Sequence, residues 1–475
     1  MSDAGLVVGI DLATATARAV VLRLGAPAVL VAEATTPLPH PVSGQAGESE
    51  QEPLYAEAIG ILMARVSAAL TEGQRKAVNS ISISGTSGTV LAVDQTGQPL
   101  GAALMYNDNR AQSRLVRSEQ DEVGLRPTAT LARLAWLSAE YPKAHFVTSA
   151  DLALWHLAGE PVSASDTSHW IKAGIDPETQ AWPARSLESL EIDQTKLPKL
   201  SKPGRPVGTL APHLARSWGL GPEVSLVLGM TDGCTSQIAT GAIQVGDSVG
   251  VLGTTLVLKA VWSEAVEVPQ MGIYSHLGPD GSFWPGGAAN IGAGAMPQFF
   301  PRHDPIALER WGEHALAYGP STYVSYSLPG VGERFPFVSA TVESFATAEP
   351  TNEVDRYRSF LEGVAFAERY GRQILGESGV VFSRHFVSGG ASRSASWNRI
   401  RATVLGEPLY RASFGDSAVG AAILAGFPAQ KSRWSDYVSP LIPPPVVIEP
   451  FERERSALES RYGQFLEEIE RRGLK

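Results

Sequence analysis

From Leu6 to Leu24 apolar residues recur without helical spacing, which predicts a β-hairpin: an apolar strand, a turn of Gly, Thr and small residues around Asp11 to Thr16, and a second apolar strand. The stretch Leu226–Leu258 follows the same grammar. An apolar strand (Ser225 to Leu228) runs into a glycine-spaced turn carrying Asp232. A helix of small residues follows, then two strands joined by Gly253-Thr254-Thr255. The pattern predicts one structural idea used twice.

Between these stretches, Ile59, Leu62, Met63, Val66 and Leu70 recur at helical spacing, with Glu57 and Arg65 on the outward side. Ile81–Ser84 alternates as a strand, breaks at Gly85-Thr86-Ser87-Gly88-Thr89, and resumes at Val90–Asp94. Leu104-Met105-Tyr106 then leads into Asn107-Asp108-Asn109-Arg110. Polar breaks of this kind at strand ends are where open α/β sheets place ligands. Residues 128–157 read as mostly helical and 163–200 as irregular. Helices are predicted over 354–376, through Trp397, Ile400 and Val404, over 418–425 and over 452–472, the last charged and preceded by a Pro443–Pro445 linker. The domain junction falls between about Leu220 and Gly241. The expected division is residues 1–235 as the sugar-binding side, 236–430 as the nucleotide-binding side, and 431–475 as linker and helix.

A chain of 475 residues builds two sizeable cores. Its net charge of −10 argues against nucleic acid or an anionic membrane as the main partner, while amide turns can hold a small anion at any global charge. The single cysteine, Cys234, excludes an intrachain disulfide framework and reads as a buried structural thiol. No apolar run reaches the ~20 residues that cross a bilayer. The N-terminus, with Asp3 and Asp11 and no basic lead, does not read as a signal peptide. A cytoplasmic protein is expected, or a plastid stromal one already trimmed. His169, His276 and His385 lack metal-ligand spacing and read as solvated or structural.

Gly229 and Gly233 flank Asp232 with little side-chain bulk, as a catalytic carboxylate requires, and the Gly253 turn can present N–H groups to phosphate oxygens. Asp11 with Thr14 and Arg18, Gly85–Asp94 followed by Asn107–Arg110, Gly229-Met230-Thr231-Asp232, Gly253-Thr254-Thr255 and Gly389-Gly390-Ala391 occur in the order and spacing of one family. Over about residues 5 to 426 the chain resembles the FGGY-type carbohydrate kinases, relatives of xylulokinase and glycerol kinase. Within them it is most similar to the cyanobacterial and plant D-ribulokinases. Gly85-Thr86-Ser87-Gly88-Thr89 stands where xylulokinases carry Gly-Gln-Met-His-Gly, so the sugar pocket differs.

The resemblance implies an α/β fold of two ribonuclease-H-like domains, as in actin and hexokinase, with ATP and a sugar as small-molecule partners in the interdomain cleft. It implies phosphoryl transfer from ATP to a ketose, D-ribulose first and D-xylulose or another pentulose or polyol second. Asp232 becomes the general base and a substrate contact, with a helix N-cap as its plain alternative. Asp11 meets Mg²⁺ through water and borders the substrate, or is an ordinary Asx-turn. Thr14 approaches the phosphates. Gly253, Thr254 and Thr255 hold the β- and γ-phosphates, or form a plain hairpin turn. Gly389, Gly390 and Ala391 pass under the adenosine, with Trp397 as core residue or adenine platform. Ser87, Asn107 and Asp108 bind sugar hydroxyls, and Arg110 orients Asp108. A non-catalytic ATP switch of the actin or chaperone kind is the competing class. Sugar-independent ATP hydrolysis distinguishes it.

Overall fold

The computed structural model describes residues 5–44, 47–111, 130–162, 164–301, 305–427 and 433–475. Two compact units divide the chain, each built around its own sheet. The first comprises Met1–Gly241, His276–Gly281 and Asp416–Pro443; the second comprises Ala242–Ser275, Ser282–Gly415 and Pro444–Lys475.

The first unit starts from the predicted hairpin, Leu6–Leu12 against Thr16–Arg23. Its six strands lie in the order Pro206–Thr209, Ser225–Val227, Val78–Gly85, Leu6–Leu12, Thr16–Arg23 and Val29–Pro37. Val78–Gly85 runs parallel to both Leu6–Leu12 and Ser225–Val227, while the hairpin and Val29–Pro37 are antiparallel. Alternation along Leu6–Leu12 sends Leu6, Val8, Ile10 and Leu12 into a core shared with Ile59, Leu62, Met63 and Val66 of the helix Tyr55–Ala68. The opposite face carries Val7, Gly9 and Asp11. There the helix Ser417–Ala425 packs so closely that a Cβ on Gly9 would sit 1.9 Å from the Ala418 carbonyl oxygen. The helix Asp232–Thr240 stacks on this one in turn, since a Cβ on Gly420 would lie 1.8 Å from the Thr235 carbonyl oxygen.

The second unit repeats the plan. Its sheet order is Tyr274–Leu277, Phe283–Ala288, Leu256–Ala260, Asp247–Leu252, Arg384–Ser388, Leu409–Arg411 and Val446–Ile448. Again a central hairpin (Asp247–Leu252 with Leu256–Ala260) is flanked by two successive parallel strands on one side. The 25-residue helix Glu353–Glu377 covers it, burying Phe360, Val364 and Phe366. The last helix, Glu452–Arg471, is amphipathic: Leu458, Tyr462, Phe465 and Ile469 enter the same core.

Residues 128–157 are mostly helical, as expected, in Thr130–Glu140 and Ser149–Ala158; the strand His145–Thr148 lies between them, Thr148 with Asp151 forms a capping box that starts the second helix, and residues 128 and 129 lie outside the described ones. Two expectations differ from what is observed. In 163–200, Ala164–Asp166 pairs with Lys199–Ser201 and a short helix, Thr167–Trp170, follows it. The contiguous division at residues 235 and 430 differs from the two units, which part after Gly241 and return Asp416–Pro443 to the first, where the small residues of Ser417–Ala425 pack closely against Gly9. Among the described residues no helix is long and apolar enough to cross a membrane.

Candidate active site

In the first unit, strand alternation and two helix starts assemble an acidic cluster. Asp11 shares the Gly9 face of its strand, at the end nearest the start of helix Ser417–Ala425, whose first amides are capped by Asp416. Ser84, its partner in the parallel register, donates its hydroxyl to Asp11 Oδ1 at 2.6 Å. Burial lifts the Asp11 carboxyl to about 7, with the charges of Asp232 and Asp416 adding to the rise and the Ser84 hydroxyl and Arg18 opposing it. Arg18 bridges Asp416 and Glu33.

Asp232 is the first residue of its helix, half-buried, and the preceding Thr231 makes no side-chain cap. Its Oδ1 accepts the Gly233 N–H at 2.6 Å, whereas Oδ2 carries no hydrogen bond among the described residues. A carboxylate at a helix N-terminus with one free oxygen can accept a proton from a bound hydroxyl. The N-cap alternative is therefore replaced by a position inside the first turn. Gly229 serves a different purpose from the one expected: a Cβ there would lie 1.8 Å from the Ile83 carbonyl oxygen, so it permits strand contact rather than substrate access.

The backbone before Asp232 is braced from below. Asp166 Oδ1 accepts the Ser168 hydroxyl at 2.5 Å, and the same hydroxyl oxygen accepts the Thr231 N–H at 2.9 Å. Asp166 Oδ2 also holds His169 Nδ1 at 2.5 Å. Burial pushes the His169 imidazole down, but Asp166, Asp151 and Asp232 outweigh it and hold the pKa above its ordinary value. His169, His276 and His385 are all buried, so the solvated reading falls away for each.

The two loops assigned to the sugar differ in what they leave available. Ser87 Oγ is buried without a hydrogen-bond partner among the described residues, and Asn107 is exposed. Asp108 is corrected to a brace. Its side chain is 0% exposed, and its oxygens take the Ser49 N–H at 2.7 Å, the Arg110 N–H at 3.1 Å and the Arg110 guanidinium at 2.8 Å. Arg110 thus holds Asp108 as expected, but turned inward, away from any sugar. Thr14 sits half-buried in the turn of the first hairpin, where its carbonyl accepts from Gln51 at 2.7 Å.

In the second unit, Gly253-Thr254-Thr255 closes the central hairpin through Gly253 N–H to Thr255 O at 3.1 Å, with Thr254 exposed at the tip. Gly389 lies beside it: φ is +87°, and a Cβ would be 2.5 Å from the Leu252 carbonyl oxygen. Gly390 is exposed and open, and Ala391 is half-buried. The two turns are neighbours, as a phosphate and nucleoside cradle needs. Trp397 is not available as an adenine platform. It is buried against Phe360, and its indole N–H donates to the Leu361 carbonyl at 3.1 Å.

Sequence reasoning missed Ser84, Asp416, the Asp166–His169 turn and Arg133. The Asp-Ser-Ala run before a helix of small residues was a legible cap signal for Asp416, and Asp166-Thr-Ser was another. For Ser84 the signal was its place in an alternating strand. Nothing local marked Arg133, an arginine inside an apolar helix.

Residues 6–239 match the N-terminal domain and residues 249–429 the C-terminal domain of the FGGY family of carbohydrate kinases. The chain belongs to that family and is a carbohydrate kinase, a phosphotransferase with an alcohol acceptor. It is 23% identical over 448 residues to a xylulose kinase of Bacillus subtilis, covering 89% of this chain and 88% of the relative. A gluconokinase of the same organism is 23% identical over 470 residues, covering 91% and 90%. Among solved structures, a xyloylose kinase from Brucella ovis shares the fold with a TM-score of 0.88 at 23% identity, covering 97% of this chain and 98% of that one.

Proposed function

We propose that the protein transfers the γ-phosphoryl group of ATP to the 5-hydroxyl of D-ribulose, giving D-ribulose 5-phosphate and ADP. The observation that carries this reading is the Asp232 carboxylate, fixed through one oxygen and without a hydrogen bond on the other among the described residues. Asp232 Oδ2 takes the proton of the hydroxyl as its oxygen bonds to the γ-phosphorus and the bond to ADP breaks. Ser87 and Asn107 bind the other hydroxyls. Thr14 and the Gly253-Thr254-Thr255 amides take phosphate oxygens, and Gly389-Gly390-Ala391 leave room for the nucleoside.

Mg²⁺ would supply neutralisation of the β- and γ-phosphate charge. The donor chemistry fits. Asp11 is a hard oxygen ligand, and the neighbouring carboxylates that make its ionisation unfavourable are relieved by a cation. Among the described residues no group of three or more His, Cys, Asp or Glu could hold a metal by itself. Asp11 would hold such an ion through water.

D-Ribulose is preferred because Gly85–Thr89 lacks the histidine of the xylulokinase loop; D-xylulose is the second reading, favoured by the xylulose kinase relatives. A coupled assay for ADP over D-ribulose, D-xylulose, D-gluconate, ribitol and glycerol decides. The highest kcat/KM is expected for D-ribulose, and an equal or higher value for D-xylulose overturns the choice.

Asp11 gives a second expected result. Its folded pKa of about 7 exceeds the ordinary 3.8, so between these values the native state holds a proton that the unfolded state has lost. Stability therefore falls as pH rises through that window. Asp11→Asn should melt higher than the parent at pH 8 without ligands, lose that advantage by about pH 4, and phosphorylate sugar poorly with Mg²⁺. Equal melting temperatures at pH 8 would count against the crowding of Asp11 by Asp232 and Asp416.

A further inference from the structure

We propose that Arg133 determines the sugar selectivity of this kinase, by fastening the loops Gly85–Thr89 and Tyr106–Arg110 to one buried guanidinium. The inference rests on the reading above, in which Ser87 and Asn107 meet the sugar. Arg133 lies in the helix Thr130–Glu140, is 0% exposed, and is surrounded along that helix by buried Leu131, Leu134, Ala135 and Leu137. Packing alone would be met there by Leu or Met, and an unpartnered guanidinium would be strongly unfavourable.

Among the described residues its hydrogen bonds reach both loops. Nε donates to the Gly88 carbonyl at 3.1 Å, and Nη1 donates to the carbonyls of Tyr106 at 3.2 Å and Asp108 at 3.4 Å. Nη2 donates to Thr130 Oγ1 at 3.3 Å, within its own helix. One planar group with donors in fixed directions therefore sets the separation of the two loop backbones. Burial draws its pKa down to about 10, opposed by the charge of Asp108, which leaves it a cation at neutral pH.

Both loops are shaped to accept this joint. Gly88 has φ +89°, and a Cβ there would come within 2.8 Å of Thr130 Oγ1 and 2.9 Å of Arg133 Nη2. The second loop is held from its other side by the Asp108 carboxylate on Ser49 N–H and Arg110, while Arg110 lies 4.9 Å over the Trp136 ring of the Arg133 helix. The parts left over include the buried Ser87 Oγ and Asn109 Oδ1, without hydrogen-bond partners among the described residues, and the exposed Asn107. Each is one residue from a carbonyl that Arg133 grips. Arg133 is a positioning residue: it fixes the spacing between two polar contacts, and hence which hydroxyl pattern of an open-chain ketose meets both.

The test measures kcat and both KM values of full-length Arg133→Met, Arg133→Lys and Gly88→Ala with ATP, D-ribulose and D-xylulose. A rise of about tenfold or more in sugar KM is expected for Arg133→Met, with a smaller rise for Arg133→Lys, since displacements near 1 Å carry effects of this size. The D-ribulose to D-xylulose ratio of kcat/KM should shift while ATP KM stays within about twofold. Should Arg133→Met fail to fold, Arg133→Lys and Gly88→Ala report on the same joint. Sugar KM and the pentulose ratio within twofold of the parent in the folded variants overturn the inference. So does a loss confined to the amount of folded enzyme. Normal turnover by Asp232→Asn would instead defeat the assignment of the base, leaving the Arg133 result to stand on its own. A parent that phosphorylates neither pentulose overturns both.

Discussion

Asp232→Asn should lower kcat for sugar phosphorylation by at least ~100-fold, the scale of losing a positioned general base, with sugar and ATP KM changed far less. The substitution keeps the helix start: Asn retains an oxygen for the Gly233 N–H, which Asp232 Oδ1 now holds at 2.6 Å. It removes only the second, unbonded oxygen as a proton acceptor. The peptide before it stays anchored by Ser168 on the Thr231 N–H, so misfolding is not an available explanation for lost turnover. The thermal transition should remain near that of the parent. Asp232→Asn at full kcat would remove the base from the mechanism, whatever sugar is turned over.

The largest expected effect on stability lies in the second unit. Glu368 is wholly buried, with Oε1 accepting from Arg401 Nη2 at 2.6 Å and facing His385 Nε2 at 2.9 Å, and Oε2 accepting from Arg401 Nε at 2.7 Å. Burial alone would raise its pKa, but Arg401 and His385 outweigh burial and hold the carboxyl well below the usual range. Stability from this group is therefore present at neutral pH and is lost progressively as pH falls from the ordinary carboxylate range towards that depressed value. Arg401 Nη2 also donates to the Gly250 carbonyl at 3.1 Å, in the strand that runs into Gly253. A Cβ at Gly250 would lie 1.8 Å from Glu368 Oε1, so the strand and the ion pair are fitted to each other.

Glu368→Gln leaves a buried guanidinium without its counter-charge, at a cost of about 3–5 kcal/mol. The melting transition of the second unit should drop by about 10 °C. Arg401→Met should do similar damage by exposing the opposite charge, and the double variant should cost clearly less than the two single costs added together. Additive losses in calorimetric melts would show that the pair is not coupled. Because the brace underlies the hairpin proposed to take phosphate oxygens, a rise in ATP KM is expected for whichever variants remain folded.

How much was legible follows from the range of each signal. The hairpins, the helix over Tyr55–Ala68, the helix over Glu353–Glu377 and the glycine turns were readable because period-2 and period-3.6 patterns are local. The proposal of Asp232 as base starts from a local arrangement, a carboxylate near two glycines at a strand end, even though Gly229 proved to serve the strand contact. Asp108 and Trp397 misled for one reason. A polar residue in a turn and an aromatic at a helix start look the same in sequence whether they face a ligand or the interior. Only Ser49 and Arg110 in one case, and Phe360 and Leu361 in the other, reveal the direction.

The sequence by itself determined a doubled α/β plan, its two central hairpins and the carboxylate at position 232 that opens a helix after a strand, since each is written in residues close together along the chain. Tertiary structure alone decided that Ser417–Ala425 belongs beside Gly9, that Asp416 crowds Asp11 across some 400 residues, and that Arg133 gathers carbonyls from two distant loops. Those outcomes depend on side chains meeting after the sheet has formed, on burial that shifts protons and on backbone approach that only a missing Cβ allows. None of these leaves a periodicity to be read beforehand.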